Sequence, residues 1–84
     1  MPLPAGTTEA HWAALRSCES TNNYKAVSRT GKYRGAYQFD MKTWRSVGGT
    51  GDPAKAPPWE QDFRAYLLFK ARGSQPWTCG HVFD

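Results

Sequence analysis

The chain has 84 residues, with four tryptophans, eight other aromatic residues, two cysteines and a net charge of +4. A chain this short makes one domain and buries a modest share of its surface, so its core calls for a staple. No stretch approaches the ~20 apolar residues of a spanning helix, so membrane insertion is not expected. The positive charge favours an anionic partner, with nucleic acid and the acidic bacterial wall as candidates.

Residues 1–6, Met1-Pro2-Leu3-Pro4-Ala5-Gly6, read as a loose leader ahead of a domain over 7–84. They have neither the basic region nor the apolar run of a signal peptide. On this reading an export signal was removed, lies in a longer parent chain, or is not needed because another machine delivers the protein.

Thr7 or Thr8 can cap a first helix, and Trp12, Leu15 and Cys18 then recur at three-residue spacing, the apolar stripe of a packed helix. Ser20-Thr21-Asn22-Asn23 bonds readily to its own backbone and should end that helix, placing Glu19 in its last turn, between core and cleft. Residues 24–32 are loop, turning at Arg29-Thr30-Gly31-Lys32. Tyr33 to Phe39 reads as a short hairpin or extended segment.

Asp40 can cap a second short helix with Trp44 and Val47 facing inward, closed by Gly48-Gly49-Thr50-Gly51-Asp52-Pro53. A third helix starts at Pro57-Pro58, carries Trp59, Phe63, Tyr66, Leu67 and Lys70 at three- and four-residue steps, and stops at Gly73. Ser74 to Cys79 then returns as an extended tail. The fold class is α+β, mainly helical, with a short extended or hairpin element.

Two cysteines without a C-x-x-C motif fit one disulfide, Cys18 to Cys79, a bond that persists outside the cytosol. The alternatives are two reduced cysteines, or a metal site of Cys18 and Cys79 with His11 and His81. The seven-residue step from His11 to Cys18 and the tight Cys79-Gly80-His81 pair suit zinc poorly. Neither a metal nor a cofactor is expected.

Glycoside cleavage needs a proton delivered to the leaving oxygen, and a carboxylic acid keeps that proton at neutral pH only in a suitable setting, usually apolar. Glu19, beside the Trp12/Leu15 face and at a helix C-terminus, has such a setting; the plainer alternative is a solvated glutamate at a helix end. Glycosidases usually bring a second carboxylate. Asp40, Asp52, Glu60 and Asp62 are the candidates, and a cap, a turn or a helix start explains each one, so a one-carboxylate mechanism fits better. Asn23, Gln38 and Thr43 can hydrogen-bond sugar hydroxyls or N-acetyl groups, and Tyr33, Tyr37, Trp44 and Trp77 can stack on pyranose faces. For Phe39, Trp44 and Trp59 core packing is the preferred reading.

In order, Trp12, Leu15, Cys18-Glu19-Ser20, Asn23-Tyr24, Tyr33-Arg34-Gly35, Gln38-Phe39, Thr43-Trp44, Gly48-Gly49, Glu60-Gln61, Trp77 and Cys79 form a set that resembles the catalytic domain of resuscitation-promoting factors. That is the transglycosylase-like family of actinobacteria and their phages, and the resemblance covers about residues 10–80. It implies a minimal lysozyme-like fold with one disulfide, Glu19 as the acid, and Tyr33, Gln38 and Thr43 in the cleft. It also implies, as substrate, the β-1,4 bond between N-acetylmuramic acid and N-acetylglucosamine in peptidoglycan. The expected protein is a monomer that acts on glycan strands, not nucleic acid, in an extracellular or cell-wall setting, cut from a longer exported protein or phage-delivered. The rival expectation is a module of the same fold that grips glycan without cutting it.

Three departures from the family pattern stand out. Thr21-Asn22 replaces two glycines after Glu-Ser. Ala36 and Tyr37 stand where a glycine and an aliphatic residue are typical. The ending Pro76-Trp77-Thr78-Cys79 is one residue shorter and lacks the proline after tryptophan.

Overall fold

The computed structural model describes residues 2–84. It is a small, mainly helical, lysozyme-like domain with three α-helices, α1 (Glu9–Ser20), α2 (Met41–Ser46) and α3 (Pro58–Arg72). Short 3-10 turns at Pro53–Lys55 and Gly80–Phe83 complete it, and Cys18 is joined to Cys79. With both sulfurs in that bond, the two-cysteine, two-histidine metal set has no thiolates to offer. No helix among the described residues is long and apolar enough to cross a membrane.

α1 starts where Thr8 caps it: the Thr8 side chain accepts from the His11 amide, and the His11 ring accepts from the Thr8 amide. Its Trp12 is fully buried and forms the hub of an aromatic core. Ring centroids of Tyr66, Phe83, Phe69 and Trp77 lie 4.8, 4.9, 5.5 and 6.0 Å from that of Trp12. Large rings give a short chain the most buried area per residue, and edge-to-face contacts add to it. Pro2–Gly6 does not hang free along its whole length: Pro4 is buried, Leu3 packs against the core, and the Thr7 amide and hydroxyl both donate to the Pro4 carbonyl. Met1, the first leader residue, lies outside the described residues.

The expected extended element is a tight hairpin turn. Arg34 and Phe39 exchange both backbone hydrogen bonds across Gly35–Gln38, and Val27 bridges to Arg34 on the other side. Gln61 of α3 locks this turn in place. Its side chain is wholly buried, accepts from the Ala36 amide and donates to the carbonyls of Tyr24 and Ala56. Gly35, at φ +85, permits the approach, since a Cβ there would stand 2.5 Å from Gln61 Oε1.

That lock rotates α3 away from the expected stripe. The helix buries Gln61, Ala65, Tyr66 and Leu68, and Trp59 is 63% exposed instead of packed in the core. A polar side chain with every hydrogen bond satisfied takes the inward position, and apolar spacing alone misses that phase. Phe39 and Trp44 do pack in the core. Gly49 lies flat on the Trp44 ring, closer than any Cβ allows. The tail differs too: Ser74–Cys79 runs in turns rather than extended, and a 3-10 turn follows it.

Candidate active site

Glu19 is the penultimate residue of α1 and is half-buried. A carboxylate at a helix C-terminus faces the partial negative charge of the last carbonyls. The returning tail offsets this, because the Cys79 amide donates to Glu19 Oε2 at 3.0 Å. The neighbouring disulfide, with its Cα atoms 6.1 Å apart, holds that tail against α1. On the other side the chain reverses sharply. Thr21 and Asn22 both sit in the left-handed region, at φ 55 and 59, and their amides fold back onto the Ser17 and Arg16 carbonyls. The chain therefore makes the turn beside Glu19 without glycine. Asn22 Oδ1 steadies it by accepting from Arg16 Nε at 2.8 Å.

Glu19 opens onto a cavity of about 170 Å³ that it lines with Tyr33, Gln38, Pro76, Trp77 and Thr78. A second cavity of about 300 Å³ shares Tyr33, Gln38, Pro76 and Trp77, so the two make one groove, and it runs on to Thr43, Asp40 and Arg72. Tyr33 is 41% exposed at the lip, with the Lys32 ammonium 5.3 Å from its ring. Gln38 stands at φ 54, spends its amide nitrogen on the Gly35 carbonyl, and leaves Oε1 without a partner among the described residues. Trp77 is buried against Trp12 and forms part of the floor.

Two of the sequence candidates offer no open face to the groove. Tyr37 touches the second cavity only from beneath: it has no solvent exposure, so it offers no free face for stacking. Asn23 lines neither cavity, and its side-chain oxygen accepts from the Lys25 amide within its own turn. Pro76, Thr78, Gln75 and Arg72 also line the groove, and helical spacing gives no sign of them. The crosslink was the available signal, since tying Cys79 to Cys18 brings the residues before it alongside Glu19.

The remaining carboxylate candidates are engaged in the scaffold. Asp40 caps α2 through the Thr43 amide, which holds its carboxyl below the usual range, with help from Lys32 and Lys42. The Arg34 guanidinium, 2.7 Å away, and the Ala54 amide bring Asp52 down to about 2. Glu60 pairs with Arg64 one turn along α3. Asp62 Oδ1 accepts from the hydroxyls of Tyr24 and Tyr37 at 2.7 and 2.6 Å, and Arg16 donates to Tyr37 Oη at 2.9 Å. Burial, then the Asp62 carboxylate, pushes Tyr24 up to about 12 and Tyr37 well above the ordinary phenol range. This network ties α1, the following loop, the hairpin and α3 together, with Tyr37 reaching the second cavity from beneath. Glu19 is the only carboxylate lining its own cavity.

A family model described as a transglycosylase-like domain matches residues 6–80. Over 71 residues the chain is 39% identical to resuscitation-promoting factor RpfC of Mycobacterium tuberculosis, covering 83% of this chain and 50% of that protein. It is 36% identical over 76 residues to the resuscitation-promoting factor Rpf of Micrococcus luteus, covering 90% of this chain and 33% of that one. A probable transglycosylase, SceD 3 of Staphylococcus saprophyticus, is 33% identical over 73 residues, covering 82% and 31%. The chain thus spans half or less of the length of these relatives.

Proposed function

Because the chain belongs to the transglycosylase-like domain family, we propose that it cuts the glycan strands of bacterial peptidoglycan with Glu19 as the acid. The bond is the β-1,4 link between N-acetylmuramic acid and N-acetylglucosamine, and the protein works at the cell wall, where its disulfide persists. One observation carries this reading: Glu19 is the only carboxylate lining its cavity, held there by the Cys79 amide between a disulfide and a tight turn.

In the mechanism, protonated Glu19 gives its proton to the glycosidic oxygen as the bond from the muramyl C1 to that oxygen breaks. Positive charge then builds on the muramyl ring. The muramyl 6-hydroxyl attacks C1 and returns its own proton to the Glu19 carboxylate, leaving a 1,6-anhydro end and a regenerated acid. With Glu19 the only carboxylate in its own cavity, internal capture fits better than activation of water by a second carboxylate. Tyr33 stacks on a sugar face at the lip, Gln38 Oε1 and the Thr43 hydroxyl bond sugar hydroxyls, and the edge of Trp77 supports the ring from below.

Glu19→Gln tests the assignment, since the amide oxygen still accepts from Cys79 while the acid is lost. General acids contribute about a hundred- to ten-thousandfold. Release of labelled wall fragments should fall by that factor with thermal unfolding unchanged, and clearing that survives the change would sink the catalytic role and favour a glycan-gripping module. Mass spectrometry of wild-type digests should show anhydro-muramyl ends. Reducing ends alone would exclude the internal route.

A further inference from the structure

The far end of the groove is built differently from the Glu19 end. Arg72, the last residue of α3, lines the second cavity and not the first. Its exposed guanidinium makes no hydrogen bond or ion pair among the described residues, whereas Arg16, Arg34 and Arg64 are held by Asp62, Asp52 and Glu60. Gln75 and Thr43 stand in the same lining and add neutral hydrogen-bonding groups. Asp40 is there too, but its Oδ1 accepts from the Thr43 amide at 2.7 Å as the cap of α2. Among the described residues Arg72 is the one cation of this lining, and its guanidinium is left free while the Asp40 carboxylate is already bonded to the Thr43 amide. An arginine in a last helical turn is favoured by the helix field alone. That placement does not require it to face a groove.

We propose that Arg72 reads a carboxylate carried on the lactyl ether of the muramyl sugar, either the free lactate or an acid group of the peptide attached through it. This rests on the glycan-cleaving reading above. A guanidinium presents a planar fork of donors that matches a carboxylate two bonds at a time, which an ammonium does not. Because Arg72 and Glu19 line different ends of one groove, recognition of the acid group selects which sugar is presented to Glu19. Arg72 is a specificity-determining residue in this scheme and takes no part in the proton transfer.

The test measures binding by the Glu19→Gln protein, with and without Arg72→Gln, using isothermal titration and three ligands. These are chitotetraose, which has no carboxylate, the alternating muramyl tetrasaccharide stripped of peptide, and the same glycan carrying its peptides. Arg72→Gln should weaken binding of the acidic ligands about tenfold, the low end for a charged hydrogen bond at an open site, and leave chitotetraose unchanged. Arg72→Lys should fall between. Loss confined to the stripped glycan assigns the lactate, and loss confined to the peptide-bearing one assigns the peptide; either supports the inference. An equal change for all three ligands, or none, overturns it. Failure of every glycan to bind a protein with an intact amide spectrum overturns the glycan reading beneath it. The same contrast, read as KM on active protein with and without Arg72→Gln, needs no Glu19 variant.

Discussion

At Thr21 the backbone enters the left-handed region at φ 55, and Asn22 follows at φ 59. Asparagine tolerates this conformation, but a β-branched residue is an outlier there, at roughly 1–2 kcal/mol. The turn keeps its shape because α1, the disulfide and the Arg16–Asn22 bond over-determine it. Thr21→Gly should therefore stabilise the protein. The relieved strain is partly offset by the greater freedom of glycine in the unfolded chain, leaving about 0.5–1 kcal/mol. Thermal unfolding should move up by about 2–8 °C. A midpoint that stays or falls would show that the Thr21 hydroxyl bond to the Ser20 carbonyl, not tolerance of strain, holds the turn. Glu19 sits two residues from that turn, so activity measured in the same variant reports how far its position depends on the turn's shape.

Between elements, Gln61 bonds the hairpin turn and two loop carbonyls to α3 from a wholly buried position. Gln61→Leu keeps the volume but strands three groups, the Ala36 amide and the Tyr24 and Ala56 carbonyls. Each buried, unpaired group costs about 1–3 kcal/mol, so a loss of roughly 3 kcal/mol or more is expected. A fall in the midpoint of less than about 4 °C would mean that water replaces the side chain. The same residue marks how far the elements can be read from sequence. α1 and α2 announce themselves by caps and by Trp12, Leu15 and Trp44. The phase of α3 does not, because a glutamine counts as polar until its partners are known, and so Trp59 is placed inside. The place of Glu19, in the last turn of α1 and beside a cavity, is legible from helix end and crosslink. Asn23 and Tyr37 are misplaced because their side chains serve the scaffold, one in its own turn and the other under the groove with Arg16 and Asp62. Arg72 and Gln75 reach the groove only through the path of the tail, which no local pattern encodes.

Across the whole molecule the Cys18–Cys79 bond closes a loop with a sequence separation of 61. The chain-entropy account credits such a loop with about 4 kcal/mol. Small domains have only about 5–15 kcal/mol in total, so one bond supplies a large part of what keeps this chain folded. It also shapes the candidate site, since the Cys79 amide that holds Glu19 Oε2 sits at one end of it, and Pro76, Trp77 and Thr78 wall the Glu19 cavity just before it. Replacing both cysteines with alanine should lower the unfolding midpoint by about 15–30 °C, taking roughly 4–8 °C per kcal/mol. Held well below its new midpoint, the variant should still lose more wall-cleaving activity than its unfolded fraction explains, because the tail no longer fixes the carboxylate or the wall of its cavity. Full activity per folded molecule would show that Trp77, packed on Trp12, anchors the tail without help. The bond would then stabilise the fold and leave the site alone.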